Sequence, residues 1–163
     1  MWRDEGIAAM ARQIGLVAAA KARRGGILRA RDQFDVSPVF RRTRDYCERA
    51  GMEWYILSGS HHLLAPHQVI GPDDAFIHAL SAAQRAAWAS EVALRLARMR
   101  ERSGEPLTFT LLASQRYADL LMRAAPDLPL DLPLSGLDLA SRLRWFDHRL
   151  RVRSRLLGAP PEE

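Results

Sequence analysis

Residues 54–74, WYILSGSHHLLAPHQVIGPDD, hold the groups best suited to chemistry. Ser58, Ser60, His61 and His62 follow the apolar run Trp54-Tyr55-Ile56-Leu57, and the acid pair Asp73-Asp74 comes next. Carboxylates, imidazoles and hydroxyls are the working parts of N-glycosidic bond cleavage. Asp74 or Asp73 would meet an oxocarbenium-like centre, directly or through water, and His61 or His62 would protonate the departing base. Ser58 and Ser37, each at an element boundary, would hydrogen-bond a base edge or a phosphate, with Ser60 beside them. Lys21 and Arg23 would bind phosphate oxygens. Tyr117, next to Arg116, would line the rim. A base-transfer reaction would use similar groups plus a nucleophile that the sequence does not identify.

Each of these residues also has a structural reading. Ser37 precedes Pro38 and so serves as a helix N-cap. His61 and His62 are adjacent, so in an extended segment they point to opposite sides, and at most one faces a pocket. Asp73-Asp74 would equally cap a short helix beginning near Ala75. The loop Lys21-Ala22-Arg23-Arg24-Gly25-Gly26 would hold an anion or simply be solvated; no GxGxxG or GxxxxGK[ST] pattern occurs. His61, His62, His67, Asp73 and Asp74 are metal-ligand types, but their spacing matches no standard zinc pattern, so neither metal nor cofactor is assigned. The chain lacks a Gly-x-Ser-x-Gly elbow. Cys47 reads as a buried structural thiol, and His78 and His148 as surface or helix-face residues.

The elements that must position these groups alternate between strand and helix. An apolar run, residues 14–20, reads as a buried strand. Residues 38–50 form a helix closed by Gly51 in the left-handed conformation. Residues 53–57 form the second strand, followed by a long connection over 58–80. Ser81-Ala82-Ala83-Gln84 is a capping box opening a helix over 82–102. LTFTLL, residues 107–112, is a third strand, followed by a helix to about residue 125. The proline-punctuated segment 128–134 suits an edge strand. Asp138 caps a last helix over 139–157. Residues 1–12 admit a short loose helix, and 158–163 form a tail. The pattern predicts a single α/β domain spanning 1–163, a three-layer arrangement with a mostly parallel sheet of about four strands flanked by helices. Ligands in such open sheets bind beyond the carboxyl ends of the strands, where residues 58–62 fall.

Bulk properties narrow the class. The chain has 163 residues, 48% hydrophobic and 26% charged, which suits a folded domain rather than a disordered one. No apolar run is long enough to span a membrane and no signal peptide is read, so a cytoplasmic protein without membrane contact is expected. The lone cysteine fits a reducing compartment. Formal net charge is +5, and Lys21 is the sole lysine among many arginines. Arginine codon bias or attraction to phosphate, including nucleic acid, would each explain it. Oligomeric state is left open; apolar surface on the long helix would serve a homodimer or the core.

With these motifs placed, the chain resembles small bacterial and phage proteins related to the peroxide-stress protein YaaA and, distantly, the central domain of archaeosine synthase. The resemblance spans about residues 14–151. Ala18-Ala19-Ala20-Lys21 stands where the family has Ser-Cys-Ser/Thr-Lys. Val36-Ser37-Pro38-Val39-Phe40 matches Thr-Ser-Pro-Leu-Phe. Tyr55-Ile56-Leu57-Ser58-Gly59-Ser60-His61-His62-Leu63 matches Tyr-Ile-Leu-Ser-Ala-Lys-His-Gly-Leu, keeping Ser58 and His61 and placing His62 at the family's glycine. Gly71-Pro72-Asp73-Asp74 replaces Glu-Pro-Tyr-Asp, keeping Pro72 and Asp74. The resemblance favours His61 over His62 as the pocket residue and implies an enzyme acting on a nucleoside, nucleotide or nucleobase. Two rivals remain: a nucleic-acid-binding protein without catalysis, and an accessory protein whose site has eroded.

Overall fold

The computed structural model describes residues 11–156. The expected helix over 1–12 falls almost wholly, and the tail over 158–163 wholly, outside them. The chain folds in the order β1 (Arg12–Ala18), β2 (Leu28–Arg29), α1 (Ala30–Gln33), α2 (Pro38–Arg49), β3 (Glu53–Ser58), β4 (His62–Leu64), β5 (Val69–Ile70), a 3₁₀ turn (Ile77–Ala79), α3 (Ala82–Arg102), β6 (Leu107–Leu112), α4 (Gln115–Ala124), β7 (Leu130–Asp131) and α5 (Leu139–Leu156).

Five strands form the central sheet in the order β4-β3-β1-β6-β7. β1 pairs in parallel with β3 and β6, β7 adds in parallel at one edge, and β4 is antiparallel at the other. The mostly parallel α/β architecture of the sequence reading holds, with one strand more than counted. The extra strand, β4, is three residues long and lies inside the stretch read as a connection. A small second sheet pairs β2 with β5.

Strand alternation divides the core. Ile14, Leu16, Leu57, Phe109 and Leu111 face one layer, where they pack with Trp88, Val92 and Leu96 of α3 and Tyr117 and Leu121 of α4. Val17, Trp54, Ile56 and Leu112 face the other, with Phe34, Phe40 and Cys47 around α2 and Phe146 of α5. These strands are covered on both faces, which is why they read as continuous apolar runs. Gly15 lets α2 press against β1: a Cβ there would lie 2.9 Å from the Cys47 Sγ. Cys47 is fully buried, and burial pushes its thiol up to about 12, so it stays protonated and inert.

The expected ends are well defined. Ser37 Oγ accepts from the Phe40 amide at 3.3 Å, capping α2. Gly51 has φ +62°. Ser81 and Gln84 close the reciprocal capping box of α3, and Asp138 accepts from the Ser141 amide at 2.7 Å at the start of α5.

The topology sets a switch point. From β1 the chain runs out through α2 on one face to β3, then returns through α3 on the other face to β6, on the far side of β1. The connections leaving β1 and β6 therefore diverge to opposite faces, and the carboxyl ends of these neighbours form the switch point at which such sheets bind ligands.

Candidate functional site at the sheet switch point

Asp74 organises the polar cluster. It is 7% exposed, whereas its neighbour Asp73 is exposed to solvent. Ser58, the last residue of β3 and wholly buried, donates its hydroxyl to Asp74 Oδ1 at 2.7 Å, and the Ser60 amide donates to the same oxygen at 2.8 Å. The His61 amide donates to Ser58 Oγ at 3.0 Å, and the Ala75 amide to Ser60 Oγ at 2.7 Å. Trp88 Nε1 of α3 donates to the Ser58 carbonyl at 2.8 Å. The turn after β3 and the segment 74–75 are thereby clamped face to face. Gly59 makes the clamp close: a Cβ there would sit 1.9 Å from the Ala75 carbonyl oxygen.

The second carboxylate oxygen, Asp74 Oδ2, is buried without a hydrogen-bond partner in the protein, and Arg23 Nε is in the same state. Arg23 Nη2 donates to the Asp74 backbone carbonyl, so the loop after β1 reaches the acid. A buried carboxylate oxygen lacking a protein partner is costly, of order 1–3 kcal/mol or more, so an ordered water, an ion or a ligand is expected to meet it.

Aromatic rings wall the cluster. Phe76 and His78 meet edge to face at 5.1 Å, His78 and Tyr117 at 5.3 Å, and Tyr117 and Trp88 at 6.0 Å. Lys21 Nζ lies 6.0 Å from the Phe76 ring centroid, a cation–π distance. Burial, then the charges of Arg116 and Arg85, lower the His78 pKa, so the imidazole is neutral near pH 7. Burial, with the nearby Asp74 charge, raises the Tyr117 pKa, so its phenol keeps its proton. A neutral ring and a held proton beside a carboxylate supply hydrogen-bond donors without adding charge.

The structure thus brings together Asp74, Ser58, Ser60, Lys21, Arg23 and Tyr117 from the expected set. The others are placed differently. His61 joins through its backbone, its amide on Ser58 and its carbonyl accepting from Arg95. His62 has φ +62°, the only such non-glycine among the described residues, and occupies the position where the resembled pattern has glycine. Burial, then Arg95, lower the His62 pKa, which places this imidazole with the charges of α3. Asp73 makes no hydrogen bond or ion pair among the described residues. Ser37 serves as the α2 cap. The short helix expected near Ala75 is a 3₁₀ turn at Ile77–Ala79 whose N-cap is Phe76, so neither aspartate caps it. In the basic loop Arg24 is taken by Asp35, at 2.6 Å, and Gln33 stitches Gly25 and Gly26 through its side-chain amide.

His78, expected as a surface or helix-face residue, lies half-buried in the 3₁₀ turn and is the imidazole of the cluster; Phe76 and Trp88 were also missed as site residues. Their only sequence signal was position: Phe76 and His78 follow Asp74 within the same long connection. Among the described residues no three His, Cys, Asp or Glu side chains gather as a metal site, and no helix is long and apolar enough to cross a membrane.

Fold and cluster together define an open α/β domain with a buried acid at its switch point. The chain belongs to a family of unknown function, DUF6884, whose pattern matches residues 14–148. Comparison with curated proteins and with solved structures returns no match.

Proposed function

We propose that the protein is an enzyme acting on a nucleoside, nucleotide or nucleobase, cleaving or exchanging an N-glycosidic bond at the switch point. The observation that carries this reading is Asp74: buried, oriented through Oδ1 by Ser58 and Ser60, with Oδ2 free of protein partners. A carboxylate held in this way is fixed to stabilise a developing oxocarbenium centre or to activate water. Phe76 and His78 offer ring faces for a base, and Lys21 and Arg23 offer positive charge for a phosphate. The Tyr117 phenol, which keeps its proton, offers the base a hydrogen bond, and His61, whose backbone is tied into the cluster, is the proposed acid for the departing base. The resemblance to YaaA-related proteins and to the base-handling domain of archaeosine synthase points to the same substrate class.

Incubation of the protein with a panel of nucleosides and nucleotides, followed by chromatography for free base, tests the reading. Release by the wild type that is abolished in Asp74→Asn supports it. Release that is unchanged in Asp74→Asn removes the carboxylate from the mechanism.

A second reading rests on α5, where Arg144, Arg149 and Arg151 are exposed and Arg149 lies 3.7 Å from the Trp145 ring centroid. Such a face suits a nucleic-acid backbone without catalysis. Binding of this kind would weaken steeply with salt and would ignore mononucleotides.

A further inference from the structure

A cavity of about 490 Å³ lies at the opposite, amino edge of the sheet, between the starts of β1 and β3 and the last turns of α3. Its origin is the shortness of β4, which pairs only with Ile56, Leu57 and Ser58 and leaves the first half of β3 uncovered. Four arginines line it: Arg12, Arg95, Arg98 and Arg102. Glu53 and Glu105 hold Arg12, and Glu91 holds Arg95. Arg98 and Arg102 are exposed and form no hydrogen bond or ion pair among the described residues. Both project from the carboxyl end of α3, where cations also complement the helix dipole. That role needs neither a cavity nor an apolar floor, and here Tyr55 and Met99 supply one.

We infer that this cavity is a binding site for a small molecule carrying a phosphate group on a planar or apolar body. The volume falls within the usual range for small-ligand pockets, roughly 300–1,000 Å³. The Arg98 and Arg102 guanidinium groups, which no hydrogen bond or ion pair holds among the described residues, match phosphate oxygens, and Tyr55 and Met99 match the body. Tyr55, the lining residue of β3 nearest the cluster, lies three residue steps before Ser58, roughly 10 Å at 3.3 Å per residue, so this site is separate from Asp74, although Arg95 of its rim also donates to the His61 carbonyl.

Phenyl phosphate titrated into the full-length protein, followed by amide NMR, tests the proposal. The expected result is shifts at Tyr55, Met99 and Ser103 with little change at Ser60 and Ala75. Arg98→Ala/Arg102→Ala should weaken binding at least about tenfold while lowering the melting temperature only by the small helix-dipole contribution the two charges make, and Asp74→Asn should leave binding unchanged. Benzyl alcohol and inorganic phosphate, each offering half of the ligand, should bind more weakly than phenyl phosphate. Absence of shifts around Tyr55 and Met99, or binding that survives the double substitution, overturns the proposal. Loss of binding in Asp74→Asn would assign the ligand to the switch-point cluster instead, which also overturns it.

Discussion

At the scale of single residues, the structural and chemical roles of Asp74 can be separated. Asp74→Ala leaves the Ser58 hydroxyl and the Ser60 amide without their acceptor, and a loss of about 1–3 kcal/mol is expected in denaturant unfolding. Asp74→Asn keeps an acceptor at Oδ1 and should lower stability by less while removing the charge. Gly59→Ala forces a Cβ toward the Ala75 carbonyl, 1.9 Å away, so the 74–75 segment must move and both stability and any turnover should fall. The imidazole of His78 gives a pH signature. Its folded-state pKa lies below the ordinary 6.5, so the unfolded chain takes up a proton first as pH falls. Stability is fully present above about pH 6.5 and declines below it, until the folded-state pKa is passed. Melting curves at pH 8 and pH 5.5 should show this decline, and His78→Gln should reduce it. His62, shifted in the same direction, adds to the decline in the same sense.

At the scale of elements, most of the fold was written locally. Helix starts at Ser37-Pro38 and Ser81-x-x-Gln84 are short-range hydrogen-bond motifs, and the structure makes those bonds. α3 and β6 fall at the residues their patterns mark. β1 starts and ends two residues before its expected span, because Arg12 and Gln13 pair with Leu107 and Thr108. β4 escaped because its partner is supplied by β3, a contact no periodicity reports. The site was legible where strand ends and chain neighbours set it, as for Ser58 and Asp74. It was illegible where the fold brings a distant segment in, as for Trp88, where a chain neighbour of the acid gives no sign of facing it, as for His78, and where a residue contributes backbone rather than side chain, as for His61. Packing between elements gives a further prediction. Gly15→Ala drives a Cβ against Cys47 Sγ at 2.9 Å and Trp54 Cβ at 3.2 Å, so α2 must shift from β1, at a cost of roughly 1–3 kcal/mol in urea unfolding. Ser37→Ala should cost about 1 kcal/mol through the lost cap and leave any catalytic rate unchanged.

At the scale of the molecule, connections that leave β1 and β6 toward opposite faces set the switch point at the carboxyl edge of the sheet, and the short β4 leaves a cavity at its amino edge. The carboxyl edge holds a buried acid among aromatic rings; the amino edge holds arginines over an apolar floor. The net charge of +5 surrounds both and favours anionic ligands. Association with a nucleotide should therefore slow as ionic strength rises, by far less than the steep salt dependence of a protein that tracks a nucleic-acid backbone. The central claim is that Asp74 performs chemistry rather than merely holding the turn after β3. Side-by-side measurement of nucleotide affinity and base-release rate in the wild type and Asp74→Asn tests it most directly. The account predicts affinity within a few-fold and a rate lower by at least about a hundredfold, as for loss of an interaction made chiefly in the transition state. A folded Asp74→Asn protein that releases base at the wild-type rate would contradict it.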